Sequence, residues 1–368
     1  METANRILVE VFPPGEFLRE EIEARGWLQA DFAAVLGKDA KTVSDIISGK
    51  RSITPDMAIL IGEALGTGAA VWLNLESEYQ LHKAVAKRPR ENEVSRRAEI
   101  YEKYPIREMV KRGWLTASED VEKLQEELGQ FISRPEFPYA ARQTEDESKE
   151  SLRIAWLYRA YNIARKLPAS PYSEVKLARA LNKLKSILQE PSEILQIPHI
   201  LGEAGIRFLL LEQLPTSKID GVCFWLDDGN PVVALSTRLD RIDNFWFTLI
   251  HELQHVKHRH GKVDAMLDED ITNDTPGLSI EERLADEGAS EFLVPREEIE
   301  NFIARVTPLF SATRILGFAR RIGVHPGIVV GQLQHIGAID FSQHRRMLVK
   351  VRSIVTSTSP HDGWGMVA

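Results

Sequence analysis

Residues 251–255 read His-Glu-Leu-Gln-His. Residues four apart on a helix lie one turn apart on the same face, so His251 and His255 can present two imidazoles to a single ion. Glu252, beside the first histidine, is placed to take a proton from water. A mostly apolar run, Phe245–Ile250, precedes the motif and Val256 follows it, so an amphipathic helix over 244–258 is expected to carry it. The 368 residues contain one cysteine, Cys223, so any metal site must be built from His, Asp and Glu. Zn²⁺ is the cofactor such a set suits.

A third ligand is expected on a later helix, 280–292, where Glu282 and Asp286 stand four apart. Glu282 can bind the metal while Asp286 orients a ligand histidine. Ser279-Ile280-Glu281-Glu282 also fits a capping box, in which Glu282 serves its own helix and Glu281 is the alternative ligand. His258 and His260 read as surface residues beyond the helix end. Upstream, Ile206–Leu211 reads as a strand, and Gly221–Leu226 and Val232–Leu235 flank the turn sequence Asp227-Asp228-Gly229-Asn230-Pro231. This hairpin either roofs the metal helix or offers an edge to an extended substrate. Cys223 on it is expected to be buried and inert.

The N-terminal part has another pattern: short helices ended by glycines at 26, 37, 49 and 66, then a last helix over 69–81. Thr54-Pro55 opens the fourth as cap and first-turn proline. From Gln29 to Ser48 the chain has the parts of a helix-turn-helix, with Ala33 as small contact, Gly37 as turn, and Val43 and Ile46 as anchors. Asp39 caps the second helix, leaving Lys41, Thr42, Ser44 and Asp45 outward, with Lys50 and Arg51 placed for phosphate. Gln29 opens the first motif helix and joins this set of candidate DNA contacts.

The formal net charge is −8, unfavourable for a nucleic-acid binder taken whole. Residues 1–82 carry seven basic against 13 acidic side chains, whereas 83–115 carry ten against five. No apolar run is long enough to cross a membrane, and Met1–Asn5 lacks a signal-peptide pattern. With the lone cysteine, this predicts a cytoplasmic protein. The expected fold is mainly α with a small β-sheet. A five-helix lambda-repressor-like helix-turn-helix domain (1–82) precedes a helical connector (83–195) interrupted at Pro135 and Pro138. An α+β zincin-like metallopeptidase domain (196–305), a C-terminal helical pair (306–350) and a loose tail (351–368) follow.

Two resemblances extend this reading. Pro14–Glu21, Gly49–Ala58, Leu65-Gly66-Thr67 and Trp72–Leu75 resemble the Xre-type domain of HigA-family antitoxins, with Leu28 where Ser or Thr is usual and Asp45 where a basic or amide side chain is usual. The resemblance implies a repressor that binds palindromic operator DNA as a homodimer and pairs with a cognate toxin. Asp220-Gly221, Gly229-Asn230-Pro231, residues 245–255, Glu282–Asp286 and Phe292–Pro295 resemble the ImmA/IrrE metallopeptidases, with Asp286 where Asn is common and Gly288 where an aromatic is usual. That resemblance implies zinc on His251, His255 and Glu282, Glu252 as general base, and a regulatory protein as substrate. The expected function is therefore an antitoxin-repressor with a triggered zinc endopeptidase. The alternative is a repressor whose zinc domain binds a toxin or senses without catalysis.

Overall fold

A computed structural model describes residues 11–87, 93–132, 139–141, 149–227, 229–269 and 279–365. Met1–Asn5, Pro135, Pro138 and Asp228, used above, lie outside them. The chain forms two compact units, Met1–Glu93 and Val94–Ala368. No helix among the described residues is long and apolar enough to cross a membrane.

The first unit holds α1 (Pro14–Ala24), α2 (Gln29–Val35), α3 (Ala40–Ile47), α4 (Pro55–Leu65) and α5 (Ala69–Ala86). Leu18, Ile22, Phe32, Ala33, Val43, Ile46, Ile61 and Trp72 form its core. Gly37 turns the chain at φ +63°. Asp39 accepts from the Thr42 amide at 2.7 Å, and Thr54 accepts from the Met57 amide. Leu28 supplies no side-chain cap to α2, but the Asp31 carboxylate accepts from the Leu28 amide at 3.0 Å. Thus one end of the usual reciprocal cap survives.

The second unit is built on a six-stranded sheet of β1 (Tyr139–Ala141), β2 (Arg207–Leu211), β3 (Ile219–Trp225), β4 (Pro231–Leu235), β5 (Ala265–Glu269) and β6 (His361–Asp362). Its spatial order is β1-β5-β3-β4-β2-β6. Strands β3 and β4 form the expected antiparallel hairpin. They lie inside the sheet, since β3 also pairs with β5 and β4 with β2. Both hairpin edges are already taken, which excludes strand addition there.

Alternation along the strands divides two cores. Leu209, Leu211, Val222, Phe224, Val232, Ala234 and Leu267 point to one face, against α6 (Glu93–Lys103), α7 (Ile106–Lys111), α8 (Val121–Phe131) and α9 (Glu150–Ala164). Phe208, Leu210, Cys223, Trp225, Val233, Leu235 and Met266 point to the other. There they meet α10 (Glu174–Ser186), α11 (Ile197–Ala204), α12 (Ile242–Lys257), α13 (Ile280–Leu293), α14 (Arg296–Val306), α15 (Ala312–Ile322) and α16 (Pro326–His335). A sheet covered on both faces favours apolar side chains on both, which is why 221–225 of β3 and all of β4 read as apolar runs.

This corrects two expectations. Within the expected connector, 83–195, the helices α6 to α9 form a layer on one face of the sheet and α10 packs on the other. The stretch 351–365 is no loose tail. After α17 (Arg352–Val355), β6 pairs with β2, and Asp362 is buried against Arg159 and the Trp114 indole, whose Nε1 donates at 3.1 Å. The α15–α16 pair packs into the core as a structural element, with His325 capping α16 through Nδ1.

Buried ion pairs fix the strands in register. Arg153 on α9 donates to both oxygens of Glu269 at 2.7 and 2.8 Å, with both side chains out of water. Removing one partner of such a pair strands the other's charge in the core. Arg153→Met is therefore expected to lower the unfolding free energy by about 3–5 kcal/mol, measurable by urea denaturation.

Candidate metal centre and helix-turn-helix

The metal centre lies where α12, α13 and β5 meet. One helical turn stacks His251 and His255, with their Nε2 atoms 3.0 Å apart. Glu282, in the first turn of α13, brings Oε2 to 3.3 Å from His251 Nε2 and Oε1 to 3.6 Å from His255 Nε2. Ser279 caps α13 by accepting from the Glu282 amide, so the cap and the inward carboxylate coexist. Glu281 is exposed, which removes it as the alternative ligand. Asp286 Oδ1 lies 2.9 Å from His251 Nδ1, the position from which it can fix that ring's tautomer.

Two further residues were not read from sequence as parts of the site. Asp268, on β5, places Oδ2 3.1 Å from His251 Nε2. His260 was expected at the surface. Instead Arg259 takes a left-handed conformation, φ +59°, and the His260 amide returns to the His255 carbonyl. Its Nδ1 thereby reaches 3.0 Å from His255 Nδ1.

His251, His255, Asp268 and Glu282 are all buried, with ligand atoms within 4.8 Å of one another. A tetrahedral zinc with bonds of about 2.0–2.1 Å has ligand–ligand edges of about 3.3 Å. Four of the six ligand–ligand separations, 3.0–3.6 Å, bracket that value, and the rest stay within 4.8 Å. The donor set thus fits a metal ion of this kind.

Electrostatics point the same way. Burial opposes the His251 imidazolium, yet Asp268, Asp286 and Glu282 overcome it and raise its pKa well above the ordinary range. Burial and the facing His251 lower His255 to about 3. Burial and then Asp268 raise Glu282 to about 7, and the same two causes push Glu252 well up. So many carboxylates out of water demand a positive charge at their centre.

Glu252 is fully buried, and neither of its oxygens has a hydrogen-bond partner among the described residues. It fits only because residue 221 is glycine: a Cβ there would lie 2.1 Å from Glu252 Oε1. Gly221 stands opposite Asp268 in the sheet, just after a bulge at Asp220, whose carboxylate pairs with Arg238 at 2.8 and 2.9 Å. Gly288, on α13, likewise leaves room for the buried Gln254 side chain.

Comparison with known proteins agrees with both units. Residues 18–72 match the family model described as helix-turn-helix, HTH_3, and residues 203–328 match the IrrE N-terminal-like domain, Peptidase_M78. The uncharacterized HTH-type transcriptional regulator YddM of Escherichia coli (strain K12) is 30% identical over 71 residues, which are 19% of this chain and 76% of that one. The chain belongs to the helix-turn-helix regulators and carries an IrrE N-terminal-like domain. Solved structures similar to the first unit include the Pseudomonas aeruginosa antitoxin HigA with higBA promoter, 41% identical over 21% of this chain and 85% of that one, TM-score 0.21. A putative antidote protein of a plasmid maintenance system from Nostoc punctiforme is 38% identical over 21% and 86%, TM-score 0.21.

On the helix-turn-helix, α3 exposes Lys41 and Ser44, with Asp45 half-buried; Gln29, Lys50 and Arg51 are exposed. Thr42 departs from its expected outward place. It is buried, with its hydroxyl donating to Asp39 at 3.0 Å and accepting from Arg51 at 2.9 Å. Thr42 therefore orients the Arg51 guanidinium and is turned away from the exposed face.

Two outcomes follow for the metal centre. Metal competes with the protons held on His251, Glu252 and Glu282, so zinc affinity should rise with pH through the Glu282 value of about 7, with proton release. Calorimetry in buffers of different ionisation enthalpy between pH 6 and 8 measures both effects; affinity flat across that window contradicts the assignment. Gly221→Ala should cost about 1–3 kcal/mol by overpacking against Glu252 while keeping metal stoichiometry, read from thermal unfolding and metal analysis.

Proposed function

We propose that this chain is a HigA-like antitoxin and repressor whose second unit is a zinc-dependent endopeptidase acting on a regulatory protein. The observation that carries the peptidase reading is Glu252. It is a dry carboxylate without a hydrogen-bond partner among the described residues, held in a glycine cradle one residue from a converged ligand set.

Zinc would be held by Nε2 of His251 and of His255 and by the Glu282 carboxylate. When bound, it supplies Lewis acidity, making water a nucleophile at neutral pH and polarising a peptide carbonyl. Glu252 takes the water proton on a carboxylate oxygen and delivers it to the leaving amine. Burial makes the Glu252 carboxylate a stronger base than an exposed one, which suits the first task. Asp286 and His260 hold the two ligand rings by their Nδ1 atoms, which keeps each Nε2 turned to the ion.

For the first unit we propose a homodimer on palindromic operator DNA, with Lys41, Ser44 and Asp45 toward the bases and Gln29, Lys50 and Arg51 toward phosphate. A toxin protein is the second partner. The family match at 18–72 and the exposure of Gln29, Lys41, Ser44, Lys50 and Arg51 support that reading. The setting is the cytoplasm.

Glu252→Gln should keep bound zinc and lose cleavage of candidate repressor or toxin partners. If wild type and variant behave alike in every cleavage assay, the non-catalytic toxin-binding or sensing role takes the place of peptidase. Lys41→Glu or Arg51→Glu should weaken binding to the protein's own promoter DNA by about tenfold and flatten its salt dependence, measured by fluorescence anisotropy. Unchanged affinity in both variants would remove this helix from the interface.

A further inference from the structure

We infer that Asp268 is a fourth metal ligand, which closes the centre and keeps the peptidase latent while it stays in place. The inference rests on the zinc reading above and concerns the regulation of that same site.

Three observations carry it. Asp268 is fully buried, and Oδ2 stands as close to His251 Nε2 as the other ligand atoms do, 3.1 Å against 3.0 and 3.3 Å. Its position is also built rather than incidental. The alternation of β5 sends Met266 to the α12 face and Leu267 to the other, which puts Asp268 with Met266. The neighbouring Glu269 is locked on the opposite face by Arg153, so the strand cannot rotate to release Asp268 alone. Finally, Asp268 pairs across the sheet with Gly221, the residue that leaves room for Glu252, so blocker and base share one cross-strand position.

Two imidazoles and two carboxylates would supply four protein ligands. Catalytic zinc sites keep one position open, whereas sites with four protein ligands are closed. With Asp268 in place, no position remains for water or substrate, and Glu252 has nothing to deprotonate. A purely structural site would have no use for a buried carboxylate held beside it at the cost of a glycine in the strand. The combination describes a peptidase at rest, and opening it means displacing the Asp268 carboxylate.

The test uses the full chain loaded with Co²⁺ in place of zinc, with azide as the probe of an open position. The visible bands of wild type should be unchanged by azide, and those of Asp268→Asn should shift on titration. Zinc affinity, from chelator competition, should fall by about 10–100-fold in Asp268→Asn and recover in Asp268→His, which restores a ligand atom. Wild-type bands that respond to azide overturn the inference without recourse to any variant; so does an Asp268→Asn protein with wild-type affinity. A wild-type protein that takes up no zinc, or keeps it in His251→Ala, instead overturns the underlying metal assignment.

Discussion

Carboxylates and imidazoles taken out of water must find compensating charge, and the second unit is organised around that requirement. His251, His255, Asp268 and Glu282 converge in a site closed to solvent, with Glu252 alongside. Desolvating these groups costs several kcal/mol each, and their mutual repulsion can be relieved only by a cation or by protons. The raised pKa values of Glu252 and Glu282 record the strain of the metal-free state. Helices α12 and α13 and strand β5 contribute its ligand atoms, and β3 contributes the room for Glu252.

That constraint explains why the sheet is so tightly registered. Glu269 and Asp268 are neighbours on β5 with opposite facings, one held by Arg153 and the other against His251. The bulge at Asp220 adjusts β3 so that Gly221 meets Asp268, and the Asp220–Arg238 pair pins the bulge. Buried pairs add little net stability relative to apolar packing, but they penalise misregister heavily.

Local features were legible in the sequence, and non-local ones were not. The caps at Asp39 and Thr54, the glycine stops and the His-Glu-x-x-His helix all depend on residues within a turn or two, and each stands where spacing placed it. Glu282 was legible as one of two readings, and the fold turns its carboxylate to His251 and His255 while Ser279 caps the helix through the Glu282 amide. Asp268 had no such signal, because a lone aspartate in Ala-Met-Leu-Asp-Glu becomes significant only once β5 pairs with β3. His260 depended on a left-handed turn at Arg259, which composition does not announce. Thr42 misled because helical periodicity puts it near the outer face, while Asp39 and Arg51 draw its hydroxyl inward. The helices of 94–164 read as a connector since their partner face is contributed by strands more than forty residues later.

Those helices bear on how such a protein could be assembled in evolution. The recognisable family span, 203–328, begins at the end of α11, takes in β2 to β5, and omits the layer formed by α6 to α9. Cut out alone, it would expose Leu209, Leu211, Val222, Phe224, Val232 and Ala234 as one apolar plate, and leave Glu269 without Arg153. The segment a family comparison marks as a module is therefore not a portable one here. Recombination at its borders would yield an aggregating fragment, whereas a junction near residue 93 passes between the two compact units.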